Sequence, residues 1–350
     1  MHTEDGEVRK VSIHDVARHA GVSQPTVSKV INGYPNLKPS TRQKVLAAIE
    51  ELGFRPDAIA RSMVKNRTFT IGLIVGDIAN PFYAETGKEI VRRAHEAGYE
   101  VVMLDTDYDD GERFDACVET LLAKRVDGIL ASSVSRDNAK VKALHESGYP
   151  VVLFNRNVDD RSVPSVELDN ERGARLALEH LASLGHRRVA YVSGPLRYST
   201  FHDRHRGFAA GAASLGLSYE PDDVLEGAFA YEEVRRFAER RLSGERPPTG
   251  FLVSSDQMAI AVLDAASRLG LAVPGDVSVV GFDNIDISGN PFISLTTVSQ
   301  QKKRMSMLAL ERLIERIEGR TEEAAPLRTV LEPELVVRNT TGPARGREET

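Results

Sequence analysis

The stretch that decides the first domain of this chain is SIHDVARHAGVSQPTVSKVIN, residues 12–32. Ser12 and Asp15 have the spacing of a capping box at a helix start, and apolar residues then recur at helical intervals. Gly21 supplies a tight turn. Ser23 is placed to cap a second helix, which has its own apolar stripe. The pattern predicts two short helices joined by a turn.

A third helix is predicted from Ser40, with Gly53 as its stop signal. Two short helices braced by a third form a helix-turn-helix, whose second helix can enter the major groove of DNA. There Lys29 can donate to guanine, and Gln24 can pair with adenine or a phosphate. The predicted DNA contacts on this module are Ser12, Ser23, Gln24, Pro25, Thr26, Ser28, Lys29, Asn32 and Asn36.

Residues 13–32 resemble the headpiece of the LacI/GalR family of transcriptional regulators. Lys29 departs from that pattern, because many members carry arginine or histidine there, and lysine donates as a point rather than as a fork. Residues 57–64 resemble the family's hinge helix, which is too short to be stable alone. The resemblance implies that Met63 is a wedge in the minor groove. An ordinary linker with Met63 packed on the body is the alternative.

Charge is divided unevenly along the 350 residues. Residues 8–68 hold eleven Lys and Arg against four Asp and Glu, so this segment carries +7 and the remainder −13 of the net −6. The asymmetry is typical of a phosphate-binding module on an acidic body, although a solvated basic face would look the same. The single cysteine excludes an internal disulfide. With no signal peptide and no apolar span, the chain is expected in the cytoplasm.

From Phe69 onward, short apolar runs alternate with amphipathic stretches. The runs expected to form strands are residues 70–75, 100–104, 128–131, 151–154, 188–192, 251–253 and 277–281. Such repetition predicts parallel sheets covered by helices. The fold expected is therefore an all-α helix-turn-helix headpiece plus an α/β body. That body has two doubly wound parallel-sheet lobes of the periplasmic-binding-protein type, and the family resemblance adds three crossings between the lobes.

Ligands of such folds bind at the carboxyl ends of strands. Residues 80–83, 155–156 and 283–284 follow three of the predicted strands and are expected to converge on one cleft. The effector contacts that the resemblance implies are Phe82, Tyr83, Asn155, Tyr198, Thr200, Arg204, Phe229, Ser255, Asp283 and Gln300. Arg156 is added because the pair it makes with Asn155 is similar to one in sugar-binding relatives.

These side chains combine aromatic faces with charged hydrogen-bonding groups, as a sugar site requires. The expected effector is a carbohydrate or polyol, although a purine could use the same stacking surfaces. Core packing is the alternative role for Tyr83 and Phe229. Asp256 opens a helix and is expected to cap it rather than to touch the ligand.

An enzyme is not expected, because the chain has no glycine-rich phosphate loop, no HExxH motif and no nucleophile elbow. No cofactor is expected, and the histidines lack the spacing of metal ligands. A solute-binding protein of a transporter would explain the body but not the headpiece.

The domains expected are a headpiece over residues 1–55, a hinge over 56–68 and a body over 69–341, followed by a disordered tail over 342–350. Within the body, one lobe is expected to combine 69–168 with 300–327, and the other 169–299 with 328–341. No leucine heptad closes the chain. A homodimer on a near-palindromic double-stranded operator is therefore expected.

Overall fold

The computed structural model describes residues 11–31, 34, 37–54, 67–107, 112–320 and 327–345. The chain divides into two compact units, Met1–Thr68 and Phe69–Thr350. Within these described ranges, no helix is long and apolar enough to cross a membrane.

The described part of the first unit contains three helices around a small apolar core. They are α1 (Ile13–Ala20), α2 (Gln24–Ile31) and α3 (Pro39–Glu51). The predicted capping box is present at Ser12, and Gly21 turns the chain after α1 with a φ of 65°. The helix predicted from Ser40 begins one residue earlier, because Pro39 fits the first helical turn. Fully buried core residues include Val16, Val27 and Val45.

The first lobe of the body is a six-stranded parallel sheet in the order β11-β5-β4-β3-β1-β2. Its strands are β1 (Thr70–Val75), β2 (Glu100–Asp105), β3 (Gly128–Ala131), β4 (Val151–Phe154), β5 (Ser165–Leu168) and β11 (Arg328–Leu331). Its helices are α4 (Pro81–Glu96), α5 (Glu112–Ala123), α6 (Ala139–Glu146) and α11 (Lys302–Glu318). Strands β1, β3 and β4 are almost wholly buried, which explains their continuous apolar sequences.

The second lobe repeats the design with the strand order β12-β10-β9-β8-β6-β7. Its strands are β6 (Val189–Val192), β7 (Val224–Leu225), β8 (Gly250–Val253), β9 (Ser278–Asp283), β10 (Thr296–Ser299) and β12 (Glu334–Val336). Its helices are α7 (Asn170–Ser183), α8 (Ser199–Leu215), α9 (Tyr231–Leu242) and α10 (Asp256–Arg268). One departure from the prediction is β12, an edge strand that runs antiparallel to β10.

The chain crosses between the lobes three times, after β5, after β10 and after β11. The predicted change of lobe at residue 328 is wrong. Strand β11 pairs in parallel with β5, with Arg328 opposite Ser165 and Leu331 opposite Leu168, so this segment belongs to the first lobe. The third crossing therefore lies at residues 332–333, between β11 and β12.

The start of the predicted disordered tail is also wrong. The Gly342 amide donates to the Ser278 hydroxyl, and its carbonyl accepts from that hydroxyl. Two residues on, the Ala344 amide donates to the Leu184 carbonyl at 2.8 Å. Residues 342–345 therefore pack on the second lobe, and 346–350 lie outside the described residues.

Candidate functional site

Helix α2 presents a polar face next to an apolar one. Val27 and Val30 are buried in the headpiece core, whereas the predicted DNA contacts on this helix remain accessible. Ser23, Gln24, Pro25 and Lys29 are exposed, and Thr26 and Ser28 are half-buried. An exposed polar helix face with a cation in its last turn has the chemistry needed to reach base edges.

The Ser12 amide and hydroxyl already have hydrogen-bond partners within the headpiece. Its amide donates to Asp15 at 3.0 Å and its hydroxyl donates to the same carboxylate at 2.6 Å. A phosphate accepts hydrogen bonds only, so the predicted phosphate contact from Ser12 would have to replace the hydroxyl's own bond to Asp15, while the two bonds of the capping box can remain. The predicted contacts Asn32, Asn36 and Met63 lie outside the described residues.

A cavity of about 430 Å³ lies between the two lobes of the body, at the carboxyl ends of strands from both sheets. Its lining contains ten of the eleven predicted effector residues: Phe82, Tyr83, Asn155, Arg156, Thr200, Arg204, Phe229, Ser255, Asp283 and Gln300. The structure therefore brings side chains from both lobes to one place, together with Gln300 from the crossover after β10. Tyr198 is the exception.

Tyr198 is fully buried behind the cavity rather than in its wall. Its ring packs against Arg156, whose guanidinium carbon lies 3.6 Å from the ring centroid. Such a cation–π contact orients the guanidinium. Tyr198 thus supports Arg156 and does not line the cavity, unlike the effector contact that the family resemblance implied.

Arg204 is the buried charge at the centre of the site. Its Nε donates to Asn170 at 2.8 Å, its Nη1 donates to the Ser254 carbonyl at 2.5 Å, and Nη1 lies 3.5 Å from Asp283. The guanidinium carbon lies 3.6 Å from the centroid of the Phe282 ring. Burial lowers the pKa of Arg204, but these partners keep the cation fixed in one orientation.

Two buried side-chain oxygens in the cavity wall lack a hydrogen-bond partner among the described residues. They are Asn155 Oδ1 and Gln300 Oε1. The Gln300 amide nitrogen, by contrast, donates to Asp283 at 2.5 Å. Asn155 and Asp283 also have positive φ values of 63° and 123°, so backbone strain coincides with the site.

Asp256 does not cap α10 as predicted, because Ser255 does so through its hydroxyl, which accepts from the Met258 amide. Asp256 instead accepts from Thr297 at 2.5 Å and from Ser288 at 2.7 Å. These hydrogen bonds hold β10 and the loop after β9 against the start of α10. Asp256 does not line the cavity, in agreement with the expectation that it would not touch a ligand.

Asp256 and Asp283 are both fully buried and close enough to repel one another. Burial raises the pKa of each carboxyl, and for Asp256 the charge of Asp283 raises it further. The Arg204 cation opposes this effect at Asp283. Both carboxyls therefore hold a proton more readily than a solvent-exposed aspartate does.

Asn80 lies in the cavity wall with the predicted segment 80–83. Six other residues of the wall were not predicted from the sequence: Asp77, Asp107, Phe201, Ala230, Gln257 and Met258. Asp77 and Asp107 follow β1 and β2, so the carboxyl-end rule already contained the signal for them. The sequence offers no comparable signal for Ala230 and Gln257, which stand at the starts of two helices in the second lobe. Nowhere in the described residues do three His, Cys, Asp or Glu side chains gather to hold a metal ion.

A helix-turn-helix followed by a two-lobed α/β body defines a DNA-binding transcriptional regulator of the periplasmic-binding-protein-like class. Comparison with known proteins identifies the family. Residues 12–57 match the model of bacterial regulatory proteins of the lacI family, and residues 178–341 match a periplasmic binding protein-like domain. The chain belongs to the LacI family.

Individual relatives agree with this assignment. Catabolite control protein A of Priestia megaterium is 35% identical over 90% of this chain and 95% of its own length. A transcriptional regulator CelR–cellobiose complex is 32% identical with a TM-score of 0.70, over 94% of this chain and 99% of that one. The lac repressor dimer bound to operator and the anti-inducer ONPF is 29% identical with a TM-score of 0.84, over 95% and 100%. These relatives are regulators rather than enzymes.

Proposed function

We propose that this regulator is a repressor whose affinity for its operator is controlled by a sugar or polyol bound in the interlobe cavity. The cavity combines aromatic side chains with a larger number of polar and charged groups, most of them buried, which is the chemistry that a ligand rich in hydroxyl groups requires. Binding in the body changes DNA affinity through a coupling free energy, typically of about 1–3 kcal/mol.

The observation that carries the proposal is the pair of unused acceptors, Asn155 Oδ1 and Gln300 Oε1. A buried acceptor without a donor is unfavourable, so the natural occupant supplies hydrogen-bond donors. Sugar hydroxyls donate to these oxygens and can accept from the Arg204 guanidinium in the same cavity. The hydroxyl groups of a sugar can therefore bind both the unpaired acceptor oxygens and the guanidinium donor.

The aromatic side chains support a sugar over a purine. The rings of Phe82 and Tyr83 pack edge to face with an interplanar angle of 84°. The rings of Phe201 and Phe229 pack with an interplanar angle of 65°. Neither of these pairs, each of which lies within one lobe, forms a slot with two parallel walls for a planar base. The half-buried Phe229 offers an aromatic face to the apolar side of a sugar ring, and the similar CelR protein was solved with cellobiose.

On the DNA side, we propose a homodimer on a near-palindromic operator, as the lac repressor forms a dimer on its operator. Lys29 and Gln24 would contact base edges, with Ser23, Pro25, Thr26 and Ser28 beside them. Asn32, Asn36 and the minor-groove wedge Met63 remain part of the same proposal.

The test is calorimetry of the full chain against sugars, polyols and nucleobases. Arg204→Ala should abolish the heat of sugar binding while operator binding, measured by fluorescence anisotropy, survives. Asn155→Gly serves as a second variant, because it keeps the positive φ accessible and removes the Oδ1 acceptor together with the rest of the side-chain amide. Binding of a purine but of no sugar or polyol, or full sugar affinity in both variants, would contradict the proposal.

A further inference from the structure

A second cavity, of about 360 Å³, lies on the other side of helix α8 from the interlobe cavity. Four residues at the spacing of one helical stripe line it: Ser199, His202, Asp203 and Arg206. Thr200 and Arg204, on the opposite stripe, line the interlobe cavity instead. The facing wall of the second cavity belongs to the first lobe and includes Asn157, Arg161 and Glu167. The two cavities therefore have no lining residue in common.

Asn157 brings an unpartnered amide to the second cavity. The residue is only 8% exposed, and its backbone amide donates to the Ser199 hydroxyl at 2.9 Å. Its side-chain amide has no hydrogen-bond partner within the part of the chain that the structure describes. A buried amide without partners is unfavourable, and this one can both donate and accept. The wall at Asn157 therefore suits a polar occupant.

Glu167 adds a buried carboxylate with one unused oxygen. Its Oε1 accepts from Arg328 Nε at 2.7 Å, whereas none of the described residues donates to its Oε2. Burial raises the pKa of Glu167, and Arg328 lowers it. The charges of Asp203 and Arg161 also act on this pKa, in opposite directions, so both groups lie close to the carboxylate. A cationic donor is the occupant that best satisfies Glu167 and Asp203 together.

The ion pairs of the wall leave charges of both signs for an occupant. Three arginines are already paired with acids: Arg136 with Asp159, Arg206 with Glu171 and Arg328 with Glu167. Asp203, by contrast, pairs with the adjacent His202 at 3.0 Å through one oxygen only. Arg161 is exposed, and no described acid lies within ion-pair distance of it. The second cavity therefore offers acids from both lobes next to one uncommitted cation.

We infer that the second cavity binds a small zwitterion of the α-amino acid class. Its ammonium group donates to Glu167 Oε2 and to Asp203, and its carboxylate accepts from Arg161. The Asn157 amide donates to the same carboxylate. An α-amino acid carries both charges on neighbouring atoms, as partners that lie close together require. The site is separate from the effector site proposed above, and its occupant contacts both lobes.

Calorimetry of the full chain with the common L-amino acids tests the inference. At least one should bind with one molecule per chain. The amine and the carboxylic acid that each lack one of its charges should bind at least about tenfold more weakly, the effect of losing one hydrogen bond to a charged group. Arg161→Gln and Asp203→Asn should each lower the affinity by about that factor. Arg304→Gln and Asp222→Asn are the controls, because both residues are exposed and lie outside both cavity walls.

Two more variants separate ligand contact from other effects. Asn157→Ala should lower the affinity about threefold or more without lowering the melting temperature, because the amide has no described partner to lose. Phe229→Ala, in the interlobe cavity, should leave amino acid binding unchanged. The inference is wrong if no amino acid binds, if the amine or the acid alone binds as tightly, or if Phe229→Ala removes binding that Arg161→Gln preserves. Each of these outcomes leaves the proposed sugar effector standing.

Discussion

At the scale of single residues, Lys29 has the clearest predicted consequence. It is the exposed cation of α2, whose opposite face is buried in the headpiece core. Lys29→Ala should weaken operator binding and reduce discrimination at one base pair by about 1–3 kcal/mol. Anisotropy titrations against operators varied one base pair at a time measure both effects.

Lys44→Ala is the control for charge alone, because Lys44 is exposed on α3. Loss of a general phosphate attraction lowers affinity for all sequences without changing their ranking. If Lys29→Ala also left the ranking of bases unchanged, the assignment of α2 as the recognition helix would be wrong.

Asp256 makes stability depend on pH in a definite direction. Burial raises its pKa, so the folded chain holds a proton that the unfolded chain, with a pKa of about 3.9, has already released. The free energy of unfolding contributed by this group therefore falls as pH rises from that value through the raised one. Asp256→Asn should flatten this decline, by at most about 1.4 kcal/mol per pH unit.

Urea unfolding between pH 5 and pH 8 measures the slopes. Asn can keep the acceptor toward Ser288, and the Thr297 hydroxyl can turn to accept from the new amide. Asp137→Asn at an exposed position should leave the slope unchanged. A steeper decline in Asp256→Asn, or one identical to the parent, would exclude this role.

The residues of the cavity could be predicted where they follow a buried strand. Asn155 and Asp283 stand directly at strand ends, and the structure places both in the cavity wall. Tyr198 could not be placed, because whether a ring lies in the wall or behind Arg156 depends on packing between distant segments. Asp77 follows the buried strand β1 and lines the cavity as well, so its position obeys the same rule as that of Asn155.

At the scale of elements, the contact between α7 and α8 depends on one glycine. A Cβ at Gly207 would lie 2.8 Å from the Glu171 Cα and closer still to its carbonyl oxygen, both backbone atoms that cannot move aside. Helix propensity alone would favour alanine by about 1 kcal/mol. We expect the clash to dominate, so that Gly207→Ala lowers the free energy of unfolding by about 1–3 kcal/mol.

Gly211→Ala on the same helix is the matched comparison. There the nearest atom to a Cβ, at 2.9 Å, is the end of the flexible Leu178 side chain. Denaturant unfolding should show a smaller loss than for Gly207→Ala, or a gain. Equal losses of stability in the two variants would mean that α7 and α8 can move apart at Gly207 more easily than this geometry implies.

Elements with strong local patterns were predictable, and those fixed by distant pairing were not. Strand β4 is a run of four buried apolar residues and could be recognised directly. Strand β11 is largely half-exposed and belongs to the first sheet only through its pairing with β5, which lies far away in the chain. Strand β7 has two residues and no periodicity at all.

At the scale of the whole molecule, a charged bridge joins the two lobes beside the cavity. Glu85 on α4 pairs with Lys302 at the start of α11 at 2.9 Å, and both belong to the first lobe. Glu85 also accepts from the Asp286 amide of the second lobe at 2.8 Å, and Lys302 donates to the Asn284 carbonyl. None of these four residues lines the cavity. The bridge therefore holds the lobes in the arrangement that assembles the cavity.

Loss of this bridge should lower the affinity for the effector, although none of the bridge residues lines the cavity. Apparent affinity falls in proportion to the fraction of molecules in the binding-competent arrangement. Lys302→Met should lower sugar affinity by calorimetry, and Glu85→Ala should do the same without an additive loss in the double variant, because both remove one bridge. Lys303→Met, at the exposed neighbouring lysine, is the control and should leave affinity unchanged. Equal losses in Lys302→Met and Lys303→Met, or fully additive losses in the double variant, would show that the lobes are held together by other contacts.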